Sequence, residues 1–153
     1  MRGYGHIGVA TSACVRFVRN SEMDGSEREE FAEARARGIR VAYVDATAIS
    51  SPTDLTNLLA NALQLENAPY DFNQWVCLLD DLVGLSHHAP GLIIVVDGAW
   101  TLTEKLSEDM FDLIEAFLIQ FDSWSKQRKP CYLCFQMERN KSLTEFFNNG
   151  GQA

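Results

Sequence analysis

Three groups of side chains in this sequence have types and spacing that could do chemistry. Asp80 and Asp81 are adjacent carboxylates, and such a pair can bind a divalent cation or share a proton. Cys131 and Cys134 have the C-x-x-C spacing of redox and zinc sites. His87 and His88 are neighbours just before Pro90-Gly91. Each group meets a geometric objection. Adjacent residues on a helix diverge by about 100° around its axis, so Asp80 and Asp81 face different ways. Cys131 follows Pro130 in a run that reads as a strand, where residues three apart point to opposite faces. Cys14 and Cys77 stand alone, so no second cysteine pair completes a zinc set, and buried structural thiols are expected. The histidines fall in a loop, where two neighbours do not easily face one metal. No Gly-rich phosphate loop follows any strand, and no Ser/His/Asp set has a supporting context. No enzyme and no cofactor are expected. A small metal-dependent hydrolase using Asp80, Asp81 and Asp97 is the alternative in the catalytic class, and a non-catalytic interaction or dimerisation domain is another.

The elements that must hold these residues alternate between strand and helix. Ile39 to Val44 reads as a buried strand. Ser51, Pro52 and Asp54 mark a helix start, and Leu55, Leu58, Leu59, Ala62 and Leu63 follow with the spacing of one helical face. After a polar break from Glu66 to Asn73, a second helix carries Trp75, Leu78, Leu79 and Leu82, with Gly84 as its expected end. Leu92 to Val96 is a β-branched central strand ending in Asp97. Ser107 is expected to cap a long helix with the stripe Met110, Ile114, Phe117, Leu118 and Phe121. Cys131 to Met137 is the last strand. Before residue 38, residues 1–20 are ambiguous, and a helix from Glu27 to Arg37 is expected with Gly38 as its stop. The tail holds Phe146 and Phe147 in a short docked helix. The order predicts an α/β fold: a small parallel sheet packed with helices, with an N-terminal β/α extension over residues 1–38, a domain over 39–137 and a tail over 138–153.

At 153 residues the chain is one domain's worth, and its 46% apolar and 22% charged composition is that of a globular protein. No apolar run exceeds five residues and the first twenty hold no uninterrupted apolar stretch, so neither a membrane span nor a signal peptide is expected. Four cysteines do not make a disulfide scaffold, and a reducing, cytoplasmic compartment is expected. The net charge of −8 argues against direct nucleic-acid binding. It is also unevenly placed. Between Glu66 and Asp122 there are eleven acidic residues and one basic residue, Lys105. Such a field suits docking to a basic protein as well as plain solvation.

Three stretches resemble the barstar family of small ribonuclease inhibitors. They are Val44-Asp45 followed by Ile49 to Leu55, the segment Tyr70-Asp71-Phe72-Asn73-Gln74-Trp75-Val76-Cys77-Leu78-Leu79-Asp80-Asp81-Leu82, and Leu92 to Asp97. Phe72, Gln74 and Val76 stand where that family usually has Gly, Asn and Asp. The resemblance implies an immunity or inhibitor protein that occludes the active site of a cognate basic toxin, a ribonuclease for choice. It implies a partner-binding set of Tyr70, Asp71, Phe72, Asn73, Gln74, Val76, Leu79 and Asp80, with Asp122 or Ser123 from the final long helix. Asp80 would enter the cleft of the toxin, and no metal or other cofactor would be involved.

Overall fold

Four short apolar segments become the strands of one parallel sheet in the computed structural model, which describes residues 15–18, 25–65, 67 and 74–148. The strands are β1 (Val15–Val18), β2 (Arg40–Asp45), β3 (Leu92–Asp97) and β4 (Cys131–Gln136). Their order across the sheet is β1-β4-β3-β2, and every pairing is parallel. The helices are α1 (Gly25–Ala36), α2 (Pro52–Ala62), α3 (Gln74–Ser86), α4 (Trp100–Lys105), α5 (Ser107–Lys126) and α6 (Lys141–Asn148). The expected α/β architecture is what the chain adopts.

The order explains where the helices lie. From β1 the chain crosses the whole sheet to β2, and it then returns strand by strand through β3 to β4. Right-handed crossovers put the helices of these opposite movements on opposite faces. One face packs Leu55, Leu59, Leu78, Leu82, Leu113 and Phe117 of α2, α3 and α5 on Val44, Ile94, Val96, Leu133 and Phe135. The other packs Phe31 and Ala34 of α1 and Leu143 and Phe146 of α6 on Val41, Ile93, Val95 and Tyr132. The central strands β3 and β4 are therefore buried on both sides throughout. Period-two alternation sends Cys131 to the first face and Cys134 to the second, as the strand reading requires.

Local chemistry sets the ends of the elements. The α2 start has a complete capping box: Asp54 N–H donates to Ser51 Oγ at 3.3 Å, and Ser51 N–H donates back to Asp54 Oδ2 at 3.2 Å, with Pro52 in the first turn. Ser50 adds its N–H and hydroxyl to the same Oδ2 at 3.0 and 2.8 Å. Gly38 turns the chain out of α1 at φ 85°, a left-handed conformation that suits glycine. Gly91 is fixed by space: a Cβ there would lie 2.9 Å from Pro130 Cγ and 3.1 Å from Ile39 Cγ1.

Several expectations are corrected. Ser107 is the first residue of α5, not its cap; Leu106 precedes it and no side chain caps the end. Gly84 does not end α3, which continues to Ser86. Leu113, not Leu118, belongs to the buried stripe of α5, and Leu118 is 48% exposed. The one-turn helix α4 has no periodic signal and is not read from the sequence. Across residues 38 and 137, β1 pairs with β4, and both α1 and α6 cover the same sheet face. Among the described residues no helix is long and apolar enough to cross a membrane.

Candidate interaction face

The outward side of α3 and α5 combines apolar and acidic side chains in one repeated spacing. On α3, Val76, Asp80 and Val83 follow at i, i+4 and i+7, and all three are exposed. On α5, Phe111, Glu115, Leu118 and Asp122 follow at i, i+4, i+7 and i+11, and all four are exposed. These positions lie on the side of each helix opposite its buried leucines, Leu78 and Leu82 on α3 and Leu113 on α5. Phe111 is 66% exposed and the adjoining Ile119 59%. The two helices pack side by side on one face of the sheet. Their C-terminal ends are tied together. Ser86 Oγ lies 3.3 Å from Ser123 Oγ, Gln127 Nε2 donates to Ser86 Oγ at 3.2 Å, and Lys129 Nζ donates to the Ser86 carbonyl at 2.6 Å. The two outward stripes are thus held in one surface by bonds at its rim.

The expected partner-binding residues divide. Tyr70, Asp71, Phe72 and Asn73 lie outside the described residues, and Gln74 opens α3. Val76 and Asp80 stand exposed on the outward stripe, whereas Leu79 is half-buried beside it. Asp122 is exposed and pairs with Lys126 at 3.0 Å, one helical turn on. Ser123 is half-buried and belongs to the α3–α5 tie. Asp81 turns away from Asp80 and accepts a bond from Asn67 Nδ2 at 2.8 Å. Phe111, Leu118 and Ile119 were assigned no surface role from sequence, although a stripe centred on Leu113 and Phe117 leaves them outside.

The three acids of the hydrolase alternative are not brought together. Asp97 ends β3 on the parity of Ile93 and Val95, which faces α1 and α6, while α3 with Asp80 and Asp81 packs on the opposite face. Asp97 is fully buried. Its Oδ2 accepts from the Tyr43 hydroxyl at 2.6 Å and from Thr144 Oγ1 at 3.4 Å, and its Oδ1 accepts from Asn140 N–H at 2.9 Å. Burial raises its pKa above the ordinary carboxylate range, against the lowering effect of these bonds. Burial and the Asp97 bond likewise push the Tyr43 phenol well above its usual value. Asp97 is therefore a bolt for α6. Among the described residues no cluster of three His, Cys, Asp or Glu side chains could hold a metal ion. His87 and His88 are exposed in the turn after α3.

At the carboxyl edge of the sheet lies a cleft of about 720 Å³. Phe17 of β1, Thr47 after β2, Gly98 and Trp100 after β3, and Met137 to Arg139 after β4 line it. Arg139 Nη2 meets Asp45 Oδ2 at its rim at 3.3 Å, and Asp45 Oδ1 accepts from Thr47 N–H and Oγ1 at 3.0 and 2.6 Å.

No family model and no curated protein matches the chain. Among solved structures its fold is similar to the ORC2 protein of Aeropyrum pernix. The form with ADPNP and ADP matches with a TM-score of 0.53 at 14% identity over 94% of this chain, and the ADP form with 0.52 at 15% over 92%. The chain spans about two fifths of the ORC2 chains, 41% and 39%. At this identity the likeness is one of fold. It overturns the resemblance to the barstar family and the immunity and toxin-inhibitor reading that came with it. The stretches that carried the resemblance follow the strand–helix–helix–strand order of a parallel sheet, and that order is not peculiar to one family. The added strand β1 and helix α1 are part of the similar fold, since the match takes in nearly the whole chain.

Proposed function

We propose that the chain is a non-catalytic interaction domain that docks a basic protein partner on the α3–α5 face. The observation that carries this reading is the paired stripe itself. Val76 and Val83 alternate with Asp80, and Phe111 and Leu118 with Glu115 and Asp122, all turned away from the core. Exposed apolar side chains gathered on one face among carboxylates are a usual mark of a protein-binding surface. The carboxylates choose the sign of the partner, and the acidic excess from Glu66 to Asp122 gives the long-range field that would steer it. The naming of that partner as a ribonuclease or other toxin rested on the barstar resemblance and goes with it. The nucleotides named for the ORC2 structures are not carried over. Between β1 and the first turn of α1 this chain reads Arg19-Asn20-Ser21-Glu22-Met23-Asp24-Gly25-Ser26, with two acids, a single glycine and no lysine, unlike a phosphate loop.

The test is titration with a defined probe, a helical peptide of alternating Lys and Leu turns, followed by amide chemical shifts. The expected result is saturable binding that weakens with added salt and moves the amides of α3 and α5. Shifts confined to other elements, or binding indifferent to salt, would overturn the reading. So would sedimentation showing the face buried in a dimer of this chain.

A further inference from the structure

The cleft at the carboxyl edge of the sheet has no part in the α3–α5 reading, and its lining has a distinct chemistry. Two large rings stand open to it, Trp100 at 58% exposure and Phe17 at 56%. Neither ring is spent on the core. Phe17 rests one side on the buried Phe135, with centroids 5.2 Å apart and planes 17° from parallel, which holds the ring while leaving much of it to solvent. Met137 adds a polarisable thioether, and Thr47 and Thr101 add hydroxyls. Gly98, at φ 71°, also lines the cleft, and a Cβ there would crowd Thr47 Cγ2 at 3.3 Å. A cleft of a few hundred Å³ with apolar walls and few polar groups, at the carboxyl ends of parallel strands where the chain reverses its direction across the sheet, is a common place for a small ligand.

The charge around the cleft narrows the ligand. Among the described residues its one cation is Arg139, which is engaged by Asp45 at 3.3 Å. Glu138 is exposed in the lining and has no cation paired with it there among the described residues. The balance of these groups is negative, which opposes a phosphate or carboxylate. The faces of exposed Trp and Phe rings attract cations, and a flat ligand adds stacking area. We propose that this cleft binds a flat aromatic organic cation, stacked on Trp100 and Phe17 with its charge towards Glu138.

The experiment uses the whole chain, three probes of similar size and differing charge, 1-methylquinolinium, neutral quinoline and 2-naphthoate, and the larger anion ADP. Binding is read by calorimetry and by amide shifts. The expected result is that the quinolinium binds most tightly, that shifts centre on Thr47, Gly98 and Thr101, and that Trp100→Ala weakens it roughly tenfold. Glu138→Gln should weaken the quinolinium several-fold and leave quinoline unchanged. Both side chains are exposed, so both variants should fold, which thermal melts check. Equal or tighter binding of naphthoate or ADP, no quinolinium binding at millimolar concentration, or an unchanged affinity in Trp100→Ala would overturn the proposal.

Discussion

The hydroxyl of Tyr43 donates to Oδ2 of Asp97 at 2.6 Å, joining the neighbouring strands β2 and β3 just where α6 closes over them. Thr144 of α6 lies 3.0 Å from the same hydroxyl, and Asn140 N–H reaches the other carboxylate oxygen. Three elements meet on one buried acid. Removing it as Asp97→Ala would leave the Asn140 amide without its carboxylate acceptor and the Tyr43 hydroxyl with Thr144 alone, a loss of about 1–3 kcal/mol. Chemical denaturation should show it, with α6 exchanging its amide hydrogens earlier than the sheet.

The same acid gives a pH dependence of definite sign. Its folded pKa is raised by burial, so the folded state holds a proton more tightly than the unfolded state does. Stability should therefore rise as the pH falls from neutral through the raised value, until the ordinary carboxylate range near ~4 is reached. Asp109, also raised by burial and by Asp112 and Glu108, acts in the same direction. Asp97→Asn keeps an acceptor for Asn140 and can donate to the Tyr43 oxygen, whose hydrogen then turns to Thr144. That variant should fold and flatten the melting temperature between pH 7 and 4.5. An unchanged slope would show that Asp97 does not carry it.

Asp54 behaves oppositely. The Ser50 and Ser51 donors hold its carboxyl below the ordinary range. Its contribution is present above that range and is lost only in stronger acid, as the pH falls through the lowered folded value. Ser51→Ala, which removes one half of the capping box, should cost about 1 kcal/mol by denaturant titration.

Gly91→Ala should destabilise by about 1–3 kcal/mol although it adds a single methyl, because Pro130 and Ile39 already occupy the space. Gly84→Ala is the comparison. Nothing lies within 4 Å of its Cβ position and it sits inside α3, so that change should stabilise by about 0.5–1 kcal/mol. Paired thermal melts check both.

On the α3–α5 face, Asp80→Asn should weaken the basic helical peptide by about 1 kcal/mol and reduce its salt dependence. Asp81→Asn should change it less, since Asp81 turns towards Asn67. Leu118→Ser and Ile119→Ser should weaken the peptide without lowering the melting temperature, because both side chains are exposed.

Three of the four strands were legible because they are runs of β-branched and apolar residues bounded by turn residues, and Leu92 to Val96 shows this most plainly; β1 lies in the stretch that read ambiguously. The start of α2 was legible because Ser51, Pro52 and Asp54 each have one physical role there. The opposite facing of Cys131 and Cys134 followed from strand periodicity alone. What sequence reasoning missed depends on distant partners. Asp97 looks like one more acid until Tyr43, Asn140 and Thr144 are brought to it from both sides in the chain. Leu118 fits a helical stripe as well as Leu113 does, and only packing on the sheet decides which is inside. The short α4 has neither a side-chain cap nor a repeat to reveal it. The cleft is built from four separate strand ends, which no local pattern can announce.

The pairing of β1 with β4 orders events during synthesis. Val15 finds its neighbour in Leu133, near the far end of the described chain. A ribosome working at about 5–20 residues per second would release β2 and β3, which can pair with each other, several seconds before β4 exists. Through that interval β1 has been made and has no place in the sheet. Its docking is a late, long-range step, of the kind that slows folding and leaves a strand open to mispairing, and a chaperone holding the emerging N-terminal segment would act on that vulnerable interval.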